Sequence, residues 1–253
     1  VSVLDSFRLD GNVVIVTGAS SGLGVSFAQG FAEAGADLVL GARRVERLGQ
    51  TAELVEKSGG RVRTHQTDVA DPEQCQQLVD TAMAEFGRVD VLVNNAGVGT
   101  AVPASRETPE EFRAVIDVNL NGSYWMAQAC GRVMQPGSSI INIASILGLV
   151  TTGLPQAAYS ASKAGIIGLT RDLAQQWSGR KGIRVNALAP GFFASEMTDE
   201  LKPGYLDSLM PRIILGRLGE ATELAATAIW LASPAAGYVT GQTIVVDGGL
   251  TIA

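Results

Sequence analysis

Short runs of apolar, largely β-branched residues alternate with longer amphipathic stretches along most of the chain. The first run, NVVIVT at residues 12–17, leads into glycines. The segment after it, LGVSFAQGFAEAG, sets Leu23, Phe27 and Phe31 at helical spacing before Gly35, which predicts strand, tight turn and helix. The unit then recurs: DLVLGA precedes a charged helical stretch, RVRTHQTDV precedes a helix begun near Pro72, and VDVLVNN precedes a loop and a longer helix. SSIINIAS, IRVNALAP and QTIVVDGG bring the predicted strands to seven. The early ones are apolar at nearly every position, as strands are when both faces of a parallel sheet are covered. The pattern therefore predicts an α/β fold, a doubly wound parallel sheet of about seven strands with helices on both faces.

Strand and helix signals continue to the last ten residues with no repeat, low-complexity tract or linker, so residues 1–253 are expected to form one domain. The exception is 192–215, FFASEMTDELKPGYLDSLMPRIIL, where Pro203, Gly204 and Pro211 interrupt short amphipathic pieces. This segment reads either as a substrate-covering flap or as a helical insertion without functional motion.

Composition narrows the function classes. With 46% hydrophobic and 17% charged residues the chain is compact rather than disordered. Its net charge of −6 contains no long run of one sign, which argues against a nucleic-acid groove or an anionic membrane as partner. Two cysteines, Cys75 and Cys130, make no disulfide framework and suit a reducing compartment. No apolar stretch reaches the roughly 18 to 20 residues of a membrane helix, and VSVLDSFRLDG is not a signal peptide, so a cytoplasmic location is expected. His65 is the only histidine, which leaves a histidine metal cluster or a Ser-His-Asp triad without support.

In an open parallel sheet the ligand crevice lies outside the carboxyl ends of the strands. The first strand ends in Thr17-Gly18-Ala19-Ser20-Ser21-Gly22-Leu23-Gly24. Glycines permit a sharp turn and close backbone approach to a pyrophosphate, and the helix that follows offers free N–H groups and partial positive charge. A glycine-rich turn alone is a weak signal; its place after the first strand is what points to a dinucleotide. The second strand ends in Arg43 and Arg44 where a carboxylate would mark recognition of ribose hydroxyls. Two arginines at a helix start suit a ribose 2′-phosphate, which favours NADP(H), with Arg43 the expected phosphate contact and Arg44 either a second one or a solvated group beside Glu46. After the third strand Asp68 and Val69 suit an adenine. After the fourth, Asn94-Asn95-Ala96-Gly97 leaves space for a ribose, although each of these could be ordinary turn chemistry.

The fifth strand ends at Ser145, and the next helix carries Tyr159 and Lys163 one turn apart, about 6 Å along the axis. A tyrosine that exchanges a proton with an alcohol needs its phenolate favoured, and an adjacent ammonium supplies the charge for that. Such a pair also arises by chance on many helix surfaces.

Taken in order, these segments resemble the short-chain dehydrogenases/reductases over essentially the whole chain. The T-G-x-x-x-G-x-G turn stands at Thr17 to Gly24, N-N-A-G at Asn94 to Gly97, the helix asparagine at Asn119 in DVNLNG, the serine at Ser145, Y-x-x-x-K at Tyr159 to Lys163, and a P-G turn at Pro190-Gly191. The resemblance implies a Rossmann-type fold and a reversible hydride transfer between a nicotinamide cofactor and a ketone or secondary alcohol. Tyr159 would be general acid/base and Ser145 would orient the substrate oxygen. Lys163 would hold the nicotinamide ribose and lower the tyrosine pKa, and Asn119 would support a water relay. Pro190, Gly191, the Phe193 backbone and Ser195 would lie near the carboxamide.

Ser21 stands where many NADP(H)-dependent members carry lysine or arginine, so NAD(H) is also possible. Members that reduce 3-oxoacyl groups on acyl carrier protein need basic residues at the pocket mouth. Here the corresponding places read Gln135-Pro136-Gly137 and Gln175-Gln176, which favours a small free carbonyl or alcohol substrate and keeps 3-oxoacyl reduction as the alternative. A catalytically inactive dinucleotide sensor is the remote one. Ile146, Leu147, Pro155, Phe193 and Tyr205 are expected on a partly apolar substrate side. Around residues 157–177 most helix positions are apolar or small, which predicts packing against a second subunit, and the resemblance implies a homotetramer.

Overall fold

The computed structural model describes residues 2–194 and 204–253. Seven parallel strands form one sheet: β1 (Val13–Thr17), β2 (Asp37–Ala42), β3 (Val62–Gln66), β4 (Val91–Asn94), β5 (Ser139–Ile143), β6 (Arg184–Pro190) and β7 (Thr243–Val246). Their spatial order is β3-β2-β1-β4-β5-β6-β7. The chain winds outward from β1 in one direction, then returns to β4 on its other side and winds the opposite way, so a crevice opens between β1 and β4 at their carboxyl ends.

Strand alternation divides the core in two. Val14, Val16, Leu38 and Leu40 pack with Phe27, Phe31, Leu48 and Leu224 under α1 (Gly22–Glu33), α2 (Val45–Lys57) and the last long helix, residues 221–232. Val13, Ile15, Val39 and Leu92 face the other way, onto residues 72–86, 122–133 and 157–181. The first of these helices, α3 (Pro72–Phe86), starts on the Asp71 carboxylate, which accepts from the amides of Glu73 and Gln74. It stops at Gly87, whose φ of 74° favours a residue without Cβ.

α4 (Pro109–Ile116) begins with a reciprocal Thr108–Glu111 capping box and runs through a π-helical turn, Asp117–Asn121, into α5 (Gly122–Val133). The wider turn displaces Asn119 from the regular ladder and points its side chain at the loop after β4. α6 (Ala157–Lys181) carries Tyr159 and Lys163 in its first two turns. Within 192–215, residues 195–203 and with them Ser195 lie outside the described residues; the remainder includes α7 (Tyr205–Leu209) and a 3-10 turn, Met210–Arg212. α8 (Ala221–Ala232) then precedes β7. Among the described residues no helix is long and apolar enough to cross a membrane.

Candidate active site

One continuous cleft of about 410 Å³ runs along the carboxyl edge of the sheet, from the β1–α1 turn past the ends of β2, β3 and β4 to Tyr159 and Phe192. At its first end the chain is folded tightly. A Cβ on Gly18 would stand 2.8 Å from the Ala96 Cα, and one on Gly24 would collide with the Gly18 carbonyl. The Asn95 amide donates to the carbonyls of Thr17 (2.9 Å) and Gly18 (3.2 Å), while the Thr17 hydroxyl accepts from the amides of Asn95 (3.0 Å) and Ala96 (3.1 Å). These bonds lock the ends of β1 and β4 together at the switch point. Ser21 is the N-cap of α1 but its side chain caps no amide, so the first N–H groups of the helix stay available. A backbone cradle closed to any Cβ, with open helix amides above it, fits a dinucleotide pyrophosphate.

Ser20, Ser21, Gly22 and Leu23 line this end, and Gly24 lies beneath it. Arg44 reaches back over the turn, donating to the Ser21 hydroxyl at 2.5 Å and to Ser20 at 3.3 Å. Although exposed, it is tied to the turn by these bonds. Arg43 lines the same wall. Farther along, Asp68 is oriented by its own turn, its carboxylate accepting from the Ala70 amide and its amide donating to the Gln74 side chain. Val69, Asn95, Ala96 and Gly97 continue the wall. Asn94 does not: its amide is buried, donating to Asn142 and to the Ser123 carbonyl beneath the cleft.

At the far end Ser145, 7% exposed, caps a 3-10 turn, accepting from the Leu147 amide at 3.1 Å. Its hydroxyl faces that of Tyr159 closely enough to favour the phenolate. Burial raises the Tyr159 pKa and the Ser145 hydroxyl opposes the rise, so the phenol is held protonated above its ordinary range. Lys163 is 4% exposed; its ammonium donates to the Ile143 carbonyl at 2.7 Å and lies 5.5 Å from the Tyr159 ring centre. Burial pulls it down to about 8. Pro190 and Gly191 close the wall opposite.

Asn119 stands behind the cleft, fully buried. Its Oδ1 accepts from the Val98 amide (2.8 Å), and its Nδ2 donates to the Val98 carbonyl (2.9 Å) and to the Ser162 hydroxyl (3.0 Å). Ser162 in turn donates to the Tyr159 carbonyl at 2.7 Å. The Asn119 side chain thus ties the β4 loop to the backbone of the tyrosine.

The substrate side differs from the sequence reading in detail. The Phe193 ring turns into the core over Gly219, where a Cβ would overlap it, so that only its backbone serves the cleft. Phe192 takes the place on the wall and meets Tyr205 edge-on at 6.1 Å. The Tyr205 hydroxyl donates to Thr152 Oγ1 at 2.7 Å, a support behind the wall rather than part of it. Leu154 and Gln156 line the cleft in place of Pro155, beside Ile146 and Leu147. Thr67 and Val98 are further wall residues outside the motifs, and Val118, beside Asn119 in DVNLNG, is another. Gln156 could have been found from its place three residues before Tyr159, on the same helical face.

A family model described as enoyl-(acyl carrier protein) reductase matches residues 18–251. The chain is 40% identical over 248 residues to the 3-oxoacyl-(acyl-carrier-protein) reductase FabG of Thermotoga maritima, covering 97% of this chain and all of the relative. It is 41% identical over 253 residues to the L-tagatose-forming galactitol 2-dehydrogenase of Cereibacter sphaeroides, covering 97% of each. Among solved structures, a gluconate 5-dehydrogenase from Burkholderia cenocepacia in complex with NADP and tartrate superposes with a TM-score of 0.92 at 37% identity over the full length of both chains.

Proposed function

The chain belongs to the short-chain dehydrogenase/reductase family, as an oxidoreductase of alcohols and ketones, and from that premise we propose that it reversibly reduces a small free ketone to a secondary alcohol with NADP(H). The observation that carries this reading is the convergence of Ser145, Tyr159 and Lys163 at one end of a cleft whose other end is a glycine turn overlaid by Arg44. The bound dinucleotide supplies the hydride, from its nicotinamide ring.

The chain's own residues do the rest. The Gly18–Gly24 turn and the open α1 amides hold the pyrophosphate. Arg43 and Arg44 hold a 2′-phosphate with planar donor forks. Asp68 and Val69 border the adenine, Asn95 to Gly97 the ribose, and Pro190, Gly191, the Phe193 backbone and Ser195 the carboxamide. Ser145 donates to the substrate oxygen, and Tyr159 delivers its proton to that oxygen as the carbonyl is reduced, or removes it in the reverse direction. Lys163 binds the nicotinamide ribose and stabilises the phenolate left behind. Asn119 acts through Ser162 and Val98, fixing the tyrosine and the β4 loop, and so supports any water-borne proton return. The Ser20 and Ser21 hydroxyls under Arg44 leave NAD(H) a usable second cofactor. We further assign the working form as a homotetramer acting on small molecules.

Similarity to a 3-oxoacyl reductase favours a second reading, reduction of acyl thioesters. The test is loss of NADPH absorbance, then NADH, across simple ketones, keto-sugars and a 3-oxoacyl thioester. Oxidation of NADPH by a free ketone supports the proposal; dependence on the thioester alone replaces it with the second reading. Tyr159→Phe should lower turnover by about 10²–10⁴-fold with dinucleotide binding retained, and near-wild-type turnover in that variant would end the acid/base assignment.

A further inference from the structure

Beyond Ser145 and Tyr159 the cleft is walled by the side chains of Val98, Ile146, Leu147, Leu154 and Phe192, none of which can form a hydrogen bond. Ile146, Leu147 and Phe192 belong to an apolar cluster with Met210, Ile213 and Leu250 that is separate from the two cores of the sheet, so this wall is the open side of a small core of its own. Phe192 is held there edge-on by Tyr205, whose hydroxyl is committed to Thr152. Among the described residues the polar side chains at this end are Ser145, Tyr159 and Lys163, which serve the carbonyl and the ribose, and Gln156, whose acceptor oxygen is buried. Gly99 leaves the mouth open. Its backbone lies outside the left-handed region, so no turn demands a glycine there, and an added Cβ would make only an ordinary contact, 3.4 Å from Tyr159 Cδ2. The missing side chain keeps the edge of the Tyr159 ring uncovered beside the apolar wall.

We infer that the substrate carries an apolar, ring-sized group next to its reactive carbonyl, as an alicyclic or aryl ketone does. This rests on the reading of the cleft as a ketone-reducing site and narrows that reading from free ketones in general to one class of them. The carbonyl oxygen takes the hydrogen bonds of Ser145 and Tyr159, and what flanks it leaves water for a surface of Leu, Ile, Val and Phe side chains. Burial there favours apolar area in proportion to its size. A polyhydroxy ketone would exchange its bonds with water for none from these side chains, and each hydroxyl buried in that way costs free energy. A sugar acid would fare worse, because Lys163 is the one cationic side chain at this end among the described residues and its ammonium already donates to the Ile143 carbonyl.

The test compares kcat/KM, with NADPH, for cyclohexyl methyl ketone, butan-2-one and erythrulose, which is butan-2-one carrying a hydroxyl on each of its other carbons. The wild type should prefer the cyclohexyl ketone to butan-2-one by about tenfold or more, and butan-2-one to erythrulose. Gly99→Leu grows a side chain from beside the Tyr159 ring into the space the ring-sized group needs. Leu154→Asn puts a polar group on the wall outside the apolar cluster, so that the cluster behind it stays whole. Both should lower the ratio of cyclohexyl ketone to butan-2-one by about tenfold, chiefly through KM, and Leu154→Asn should also narrow the gap between butan-2-one and erythrulose. NADPH binding by each variant shows that it is folded, and should one fail to fold the other carries the test. Tyr159-dependent turnover that favours erythrulose, or that shows no preference for the cyclohexyl ketone, overturns the inference and leaves the reductase reading standing. A preference that neither folded variant reduces overturns it too. No turnover of any free ketone with either dinucleotide overturns both.

Discussion

Lys163 is a buried ammonium with one hydrogen bond, to a neutral carbonyl, and the folded protein is less stable for holding it. Burial takes its pKa from 10.5 to about 8. Below pH 8 the ammonium is charged in both the folded and unfolded chain, and the desolvation penalty is fully present. Between about 8 and 10.5 the unfolded chain keeps a proton that the folded chain has released, so this contribution to stability improves as pH rises. Lys163→Met should therefore be more stable than the wild type at pH 7 by about 1–3 kcal/mol, after allowance for the unpaired Ile143 carbonyl, while losing turnover. The gain should shrink by about pH 9.5. Urea unfolding of both proteins at the two pH values checks this, and because both contain Cys75 and Cys130, whose thiols burial pushes up to about 12 and higher, the thiol contributions cancel in the difference. A variant no more stable at pH 7 would sink the account. At this scale the motifs made Ser145, Tyr159 and Lys163 legible, because their spacing alone sets them on one strand end and one helix face. Phe192 and the Arg44 bridge were not legible, since side-chain direction beyond a strand end or in a turn follows tertiary packing and no period marks it.

At the scale of elements, all seven strands were legible from apolar runs, and their observed ends fall within the predicted segments; RVRTHQTDV contributed only Val62–Gln66, because Thr67 to Val69 turn into the cleft. The π-helical turn at Asp117–Asn121 had no sequence signal, as the residues that flank it, Ile116 and Gly122, keep ordinary helical dihedrals. It owes its place to tertiary bonds, the Asn119 amide to Val98 and Ser162. The approach of α1 to β1 was legible as glycines and has a sharp consequence. Gly24→Ala places a methyl against the Gly18 carbonyl, and neither backbone segment can retreat, since Asn95 pins Thr17 and Gly18 from the other side. The variant should unfold about 1–3 kcal/mol more easily and bind NADPH at least about tenfold more weakly, a shift of roughly 1.4 kcal/mol, as read by urea unfolding and by titration of NADPH fluorescence. Wild-type binding in Gly24→Ala would mean that the pyrophosphate lies elsewhere.

The single chain leaves two surfaces whose chemistry does not suit water. Along α6, Ala157, Ala161, Ala164 and Gly168 are exposed at spacings of four, three and four, a smooth stripe on the side away from Ile166 and Leu173. On the far edge of the sheet, β7 has no outer neighbour among the described residues, and Val245, Ile252 and Tyr238 stand exposed in and around its segment. Two different self-complementary contacts, each with its own two-fold axis, generate a closed tetramer, whereas one alone stops at a dimer. The stripe admits a close helix partner because its side chains are small, and a long charged side chain in its middle would hold the helices apart. For the homotetramer proposed above, Ala164→Arg should thus halve the sedimenting mass, from tetramer to dimer, if β7 supplies the second contact. It should also reduce turnover, because Tyr159 and Lys163 ride on the first turns of the same helix and would lose the support of its partner. A variant that sediments as the wild type does would show that α6 is not an assembly surface, and a wild type that sediments as a monomer would remove both contacts at once.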